Sequence, residues 1–217
     1  GPFSFLTEDY FMFNSMVKKA ILSSQRCQRN WDLTKTIPEE DLAVLEAAVS
    51  ECPSKQNYIF YKPYLITNRK HIEAIYQASD DVDGLRNPQL LANALVVFTE
   101  SSEFLDQIND GNIRNHEARD MIDGKSLSHS LDFQKNVALG IASGYLNLTA
   151  SLLGYKTGCC TCVNKSLVQA IINSDRVVTL VMGIGIEDHT RPRREHHLDK
   201  EITFSTFSKK ITVDRIT

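Results

Sequence analysis

The chain reads as an α+β protein, and three observations lead there. Helix-period and strand-like segments are interleaved; they do not follow the regular strand–helix–strand rhythm of a parallel sheet; and no repeat, low-complexity tract or linker-like run divides them. A length of 217 residues is ample for a sizeable core, so residues 1–217 are taken as a single domain. Hydrophobic content of 42% and charged content of 24% are ordinary for a globular chain, and a net charge of −3 offers no general attraction to nucleic acid or to an anionic membrane. The longest apolar run, residues 177–186 broken by Thr179, falls short of the roughly 20 residues a membrane-spanning helix needs.

Residues 8–22 carry Phe13, Val17 and Ile21 on one stripe and read as a helix, followed by an extended or turning segment from Gln25 to Trp31. Thr36-Ile37-Pro38-Glu39 has capping-box spacing with proline in the first turn. It opens a helix to about Val49 that points Leu42, Leu45, Ala48 and Val49 inward, and Pro53 helps to end it. Tyr58 to Asn68 is rich in aromatic and β-branched residues and contains Tyr64-Leu65-Ile66-Thr67, which reads as a strand; Arg69 to Gln77 reads as a short helix, and Leu91 to Thr99 as a buried strand. Residues 100–130 are polar and aperiodic; irregular or short helical structure is expected there, in the position of a lid.

Phe133 to Leu153 is the clearest helix, with Val137, Ile141, Tyr145, Leu148 and Leu152 expected on its buried side. Gly140 and Gly144 leave a smooth patch for another backbone, and Gly154 supplies the C-terminal cap. Ser166 to Ile172 reads as a short helix, Arg176 to Ile186 as a strand continuous enough to be central, and Glu201 to Val213 as a weak final edge strand.

Five cysteines, with Cys159, Cys160 and Cys162 crowded together, do not make a secreted disulfide framework, so a reducing, cytoplasmic setting is expected. Three close thiols without a matching cysteine or histidine pair form a poor tetrahedral set, so no metal site is expected. Buried structural cysteines are the favoured reading, with a redox-active Cys160/Cys162 pair as the alternative. Asp80 to Gly84 lacks the distal glutamate of a calcium loop and reads as a solvated turn.

The chemistry-bearing residues stand at three places. Arg26-Cys27-Gln28-Arg29-Asn30-Trp31 sets two guanidinium groups three positions apart. Cys52-Pro53-Ser54-Lys55-Gln56-Asn57 is a turn of short polar side chains, and Arg191-Pro192-Arg193-Arg194 is a second cationic cluster. Guanidinium forks suit phosphate oxygens, and local arginines on a mildly acidic chain point to a phosphate-bearing cofactor.

With Leu153-Gly154-Tyr155, Thr157-Gly158-Cys159-Cys160 and Gly183-Ile184-Gly185 following in order, these motifs resemble the nitroreductase family of FMN-dependent oxidoreductases over nearly the whole chain. The resemblance implies a mostly antiparallel central sheet flanked by helices, a long central helix, and a homodimer that exchanges C-terminal arms. It implies that Arg26, Cys27 and Arg29 meet the FMN phosphate, joined by Arg191, Arg193 and Arg194. Pro53, Ser54 and Asn57 would lie along the ring from the partner subunit, and Gly158, Cys159 and Cys160 would pass near its reactive edge. NADH or NADPH would be the reductant and a small nitroaromatic or quinone the acceptor, in ping-pong fashion. No catalytic acid, base or nucleophile is assigned; Lys55 is a candidate donor at the ring. The chain departs from the family pattern where Gln25 and Cys27 replace an arginine and a serine. A non-catalytic flavin-binding protein, or a flavin-fragmenting or dehalogenating member of the superfamily, are the alternatives.

Overall fold

The computed structural model describes residues 7–80, 85–109, 130–195 and 207–216. Four strands form one antiparallel sheet in the order β1 (Tyr61–Ile66), β2 (Ala94–Glu100), β4 (Val178–Gly185), β3 (Lys156–Cys160). β2 and β4 are the inner strands, and their side chains are buried on both faces: Leu95, Val97 and Val181 on one, Val96, Phe98 and Met182 on the other. That is why both read as near-continuous apolar runs rather than alternating ones.

One face is covered by α2 (Glu39–Ser50) and α5 (Leu131–Leu152), the other by α3 (Arg69–Gln77), α6 (Lys165–Ile171) and a 3-10 turn at Pro88–Leu91. α1 (Thr7–Ser24) lies against α5, where Asn147 Nδ2 donates to the Ser24 carbonyl at 3.0 Å and Ser151 Oγ to the Ala20 carbonyl at 2.7 Å. α4 (Glu103–Asn109) follows β2, and residues 110–129 of the expected lid lie outside the described residues, as do residues 81–84 of the expected turn.

α2 buries Leu42, Leu45, Ala48 and Val49, the face its periodicity predicts. Each buried leucine or valine of that kind contributes roughly 1.5–3 kcal/mol. The capping box does not form: Pro38 itself is the N-cap, with no side-chain cap bond, and its carbonyl accepts from Asp41 and Leu42 at 3.0 Å. A proline at that position cannot follow a threonine cap two residues earlier, because the chain is still extended there (Pro38 ψ 149°).

Two helices depart from expectation in which face they bury. On α5 the buried stripe is Gln134, Ala138, Ala142, Leu146 and Ala150, while Val137, Tyr145 and Leu152 are exposed. Alanines spaced by four let the helix approach the sheet closely, and the larger apolar side chains are left outward. On α1 only Ala20 is buried; Phe13 and Ile21 are exposed. Gly154, at φ +89°, ends α5 with the Tyr155 amide reaching back to the Ala150 carbonyl at 2.9 Å.

The glycines of Gly183-Ile184-Gly185 have a steric cause. A Cβ on Gly183 would lie 2.2 Å from the Gln89 carbonyl oxygen, and one on Gly185 2.2 Å from Asn93 Oδ1, because β4 passes directly under the 3-10 turn. Over the described part of the expected final strand no strand forms: residues 207–216 run without regular structure, with Phe207, Ile211, Val213 and Ile216 exposed, and residues 201–206 lie outside the described residues. Among the described residues no helix is long and apolar enough to cross a membrane.

Candidate functional site

The segment after α1 is held as an extra, irregular edge. The Gln28 amide donates to the Thr157 carbonyl on β3 at 2.9 Å, Trp31 bridges Glu187, and the Asp32 amide donates to the Ile186 carbonyl at 2.8 Å. Trp31 anchors it: the indole is 2% exposed and its Nε1 donates to the Pro88 carbonyl at 2.9 Å. Gln28 folds its side-chain oxygen back onto the amides of Arg29 and Asn30 at 2.8 and 2.9 Å, which fixes the turn on which half-buried Arg29 sits.

Asn30, fully buried, closes the far side. Its Nδ2 donates to the Pro192 carbonyl at 2.5 Å while its own carbonyl accepts from the Asp188 amide at 3.2 Å. Arg193 and Arg194 are thereby brought to the 26–30 segment although more than 160 residues separate them in sequence. Arg191 is turned to Asp188, with Nε 3.9 Å from Oδ2.

The electrostatics record the gathering. Burial lowers the pKa of Arg29, Cys27 opposes that shift, and the Arg193 guanidinium adds to it. Arg193 is lowered by burial, then by Arg194 and by Arg26, with Cys27 and Glu187 opposing. Arg193 thus stands within electrostatic reach of Arg26, Arg29 and Arg194, with Cys27 close to both Arg29 and Arg193.

β3 presents its residues to two different faces. Thr157 points toward α5, where its hydroxyl donates to Asn147 Oδ1 at 2.5 Å. Gly158 lies under Gln89, whose Cγ would be 2.7 Å from an added Cβ. Cys159 lies within electrostatic reach of Cys27; it keeps access to solvent, yet the surrounding protein and then Cys27 push its thiol up to about 11. Cys160 turns into the core and is joined to Cys162 by a disulfide, which corrects the expectation of three structural thiols; Cys27, Cys52 and Cys159 are free.

The Pro53–Asn57 turn lies elsewhere. It leads into β1, the edge strand opposite β3, and is held by α4: Gln107 Nε2 donates to the Asn57 carbonyl at 3.1 Å and Oε1 accepts from the Ile59 amide at 2.7 Å. Ser54 Oγ donates to the Tyr58 carbonyl at 2.6 Å, and Gln56 and Asn57 take left-handed φ values of 55° and 53°. The turn borders a cleft of about 420 Å³ whose lining includes Cys52, Ser54, Asn57, Tyr61 and Glu103. Three inter-strand spacings, roughly 14 Å, separate the two edges.

Gln28 and Asn30 organise the arginines and were not legible as site residues. The only sequence signal is that uncharged amide side chains, Gln28 and Asn30, flank Arg29 on both sides.

The sequence matches no protein-family model and no curated protein. Solved structures do resemble the fold. A Bacillus subtilis protein described as a nitroreductase superposes with a TM-score of 0.60 at 20% identity, over 85% of this chain and 93% of that one. A Staphylococcus epidermidis protein described as an NAD(P)H:FMN oxidoreductase gives 0.59 at 18%, over 82% and 87%. An Exiguobacterium sibiricum protein described as a nitroreductase in complex with FMN gives 0.59 at 21%, over 81% and 88%. The α+β arrangement of an antiparallel sheet between helices, entered by the Arg26–Trp31 segment and closed by residues 186–195, is the nitroreductase-like fold.

Proposed function

We propose that this chain is an FMN-dependent oxidoreductase that passes hydride from NADH or NADPH to a small electron-poor acceptor, such as a nitroaromatic or quinone, in two successive half-reactions. The observation that carries this is the meeting of Arg26, Arg29, Arg193 and Arg194, drawn from opposite ends of a nitroreductase-like fold. The donor set fits a phosphate dianion. Arg29 is disfavoured as a cation by burial and by Arg193, and Arg193 by burial, Arg194 and Arg26; a bound dianion favours the charged form of both. The Gln28 Nε2 amide, buried with no hydrogen-bond partner among the described residues, is a further donor in the same segment.

FMN, when bound, supplies the hydride-transfer chemistry. The chain's own residues hold and orient it: the arginines at the phosphate, and β3 at Gly158 and Cys159 along the ring. With its pKa near 11, the Cys159 thiol stays protonated at neutral pH and adds no negative charge beside the ring. Pro53, Ser54 and Asn57 sit across the sheet from the arginines, so they serve the ring of a second subunit rather than their own.

The surface supports a homodimer. Tyr10, Phe11, Met12 and Met16 on α1 and Phe133, Val137 and Tyr145 on the adjoining α5 are exposed, an apolar area suited to burial against a second copy. The C-terminal arm, with its exposed Phe207, Ile211 and Val213, would be covered in the same assembly.

Purified protein is expected to carry or take up FMN and to oxidise NADH or NADPH when an acceptor is present. Arg29→Ala should weaken FMN binding by roughly 1.5–3 kcal/mol through loss of a charge-assisted hydrogen bond. Colourless protein that gains no flavin on incubation with FMN overturns the proposal.

A further inference from the structure

The two departures from the family pattern, Gln25 and Cys27, leave the first motif with one cation and one hydroxyl fewer. The structure shows what Gln25 does instead. Its Nε2 donates to the Lys209 carbonyl at 2.9 Å, and its Oε1 accepts from the Lys209 amide at 3.3 Å. This reciprocal pair imitates one rung of an antiparallel ladder and fixes the C-terminal segment at a single residue. Packing on this chain contributes little to that contact, because Phe207 is 94% exposed and Ile211 74%.

The residue next to the clamp is Ser208, and its Oγ accepts from the Arg26 guanidinium, with Nη2 at 3.5 Å. A hydroxyl that accepts from arginine still has its own proton to donate. Arg26 in turn lies close enough to Arg193 to depress it, so Ser208 stands at the rim of the arginine cluster. A thiol is a much weaker donor than a hydroxyl, so Cys27 cannot replace what the motif has lost.

We propose that Ser208 is a ligand of the bound phosphate monoester, supplying from the C-terminal segment the hydroxyl that position 27 lacks, and that Gln25 is the positioning residue that holds it there. This rests on the flavin reading above. It also couples two events: phosphate binding draws the C-terminal segment onto Gln25, and docking of that segment completes the phosphate site. By reciprocity, each strengthens the other.

The test compares FMN with riboflavin, which has the same ring and no phosphate, by fluorescence titration. Wild type should bind FMN more tightly than riboflavin. Ser208→Ala should lose about ten-fold in FMN affinity, as for a hydrogen bond to a charged acceptor, with riboflavin affinity unchanged. Ser208→Thr, which keeps the hydroxyl, should restore it, and Gln25→Ala should match the Ser208→Ala loss. In wild type, FMN but not riboflavin should slow tryptic cleavage at Lys209 and Lys210, and in Gln25→Ala that protection should disappear. Unchanged FMN affinity in Ser208→Ala, with the wild-type preference for FMN intact, overturns the Ser208 assignment and leaves the flavin reading standing. Wild type that binds neither flavin overturns both.

Discussion

Gly140 and Gly144 lie on the outward stripe of α5 with Phe133 and Val137, at spacings of four, three and four residues. A Cβ added at either glycine would meet no atom within 4 Å in this chain. Replacing each by alanine therefore gains helix propensity, roughly 1 kcal/mol per site, with no clash inside the subunit. Across the two-fold interface of the proposed homodimer the same methyl groups would enter twice, and overpacking a close contact costs roughly 1–3 kcal/mol at each insertion. The helix gain is common to monomer and dimer and cancels from the association equilibrium. Gly140→Ala is thus expected to weaken the dimer by roughly 2–6 kcal/mol, at least about 30-fold in dissociation constant, while raising the melting temperature of the separated subunit. Analytical ultracentrifugation over a dilution series, with thermal melts at the lowest concentration, reads both effects. A dissociation constant within about three-fold of wild type in the double variant would refute the placing of this face at the interface.

Gly183→Ala should destabilise the fold by at least roughly 2–3 kcal/mol in chemical denaturation, because the new Cβ meets the fixed Gln89 carbonyl, whereas Gly158→Ala should cost less because it meets the Gln89 side chain, which can move; equal losses would count against this distinction. The half-buried Tyr155 phenol, donating to Asp41, has its pKa raised from 10 to about 12 by desolvation and by that carboxylate. The folded state therefore holds this proton more tightly than the unfolded one; its stabilising contribution is complete below pH 10 and is lost as pH rises toward 12. Tyr155→Phe should flatten the loss of stability over that interval, and an unchanged slope would remove Tyr155 as its source. Alkylation of denatured, unreduced protein should modify Cys27, Cys52 and Cys159, and reduction should add Cys160 and Cys162. In native protein the Cys159 rate should climb until about pH 11. Labelling of all five thiols without reductant would show that the Cys160–Cys162 bond does not persist.

Apolar patterning yielded the inward face of α2, and the continuity of the apolar run at Arg176 to Ile186 yielded the inner position of the strand observed at Val178–Gly185, since each follows from which side chains water excludes. The same patterning misassigned the face of α5. Hydrophobicity ranks Val137 and Tyr145 above Ala138 and Ala142, but close approach to a sheet selects for small volume, and large apolar groups can be reserved for another surface. The kinds of residue at the arginine site were legible, and the family resemblance said that they meet. Their meeting is enforced by Asn30 on Pro192, Gln28 on Thr157 and Gln25 on Lys209. Hydrogen bonds between residues more than a hundred positions apart leave no local pattern in a sequence. Their partners become neighbours only when the sheet forms, and the same folding carries the Pro53–Asn57 turn to the opposite edge.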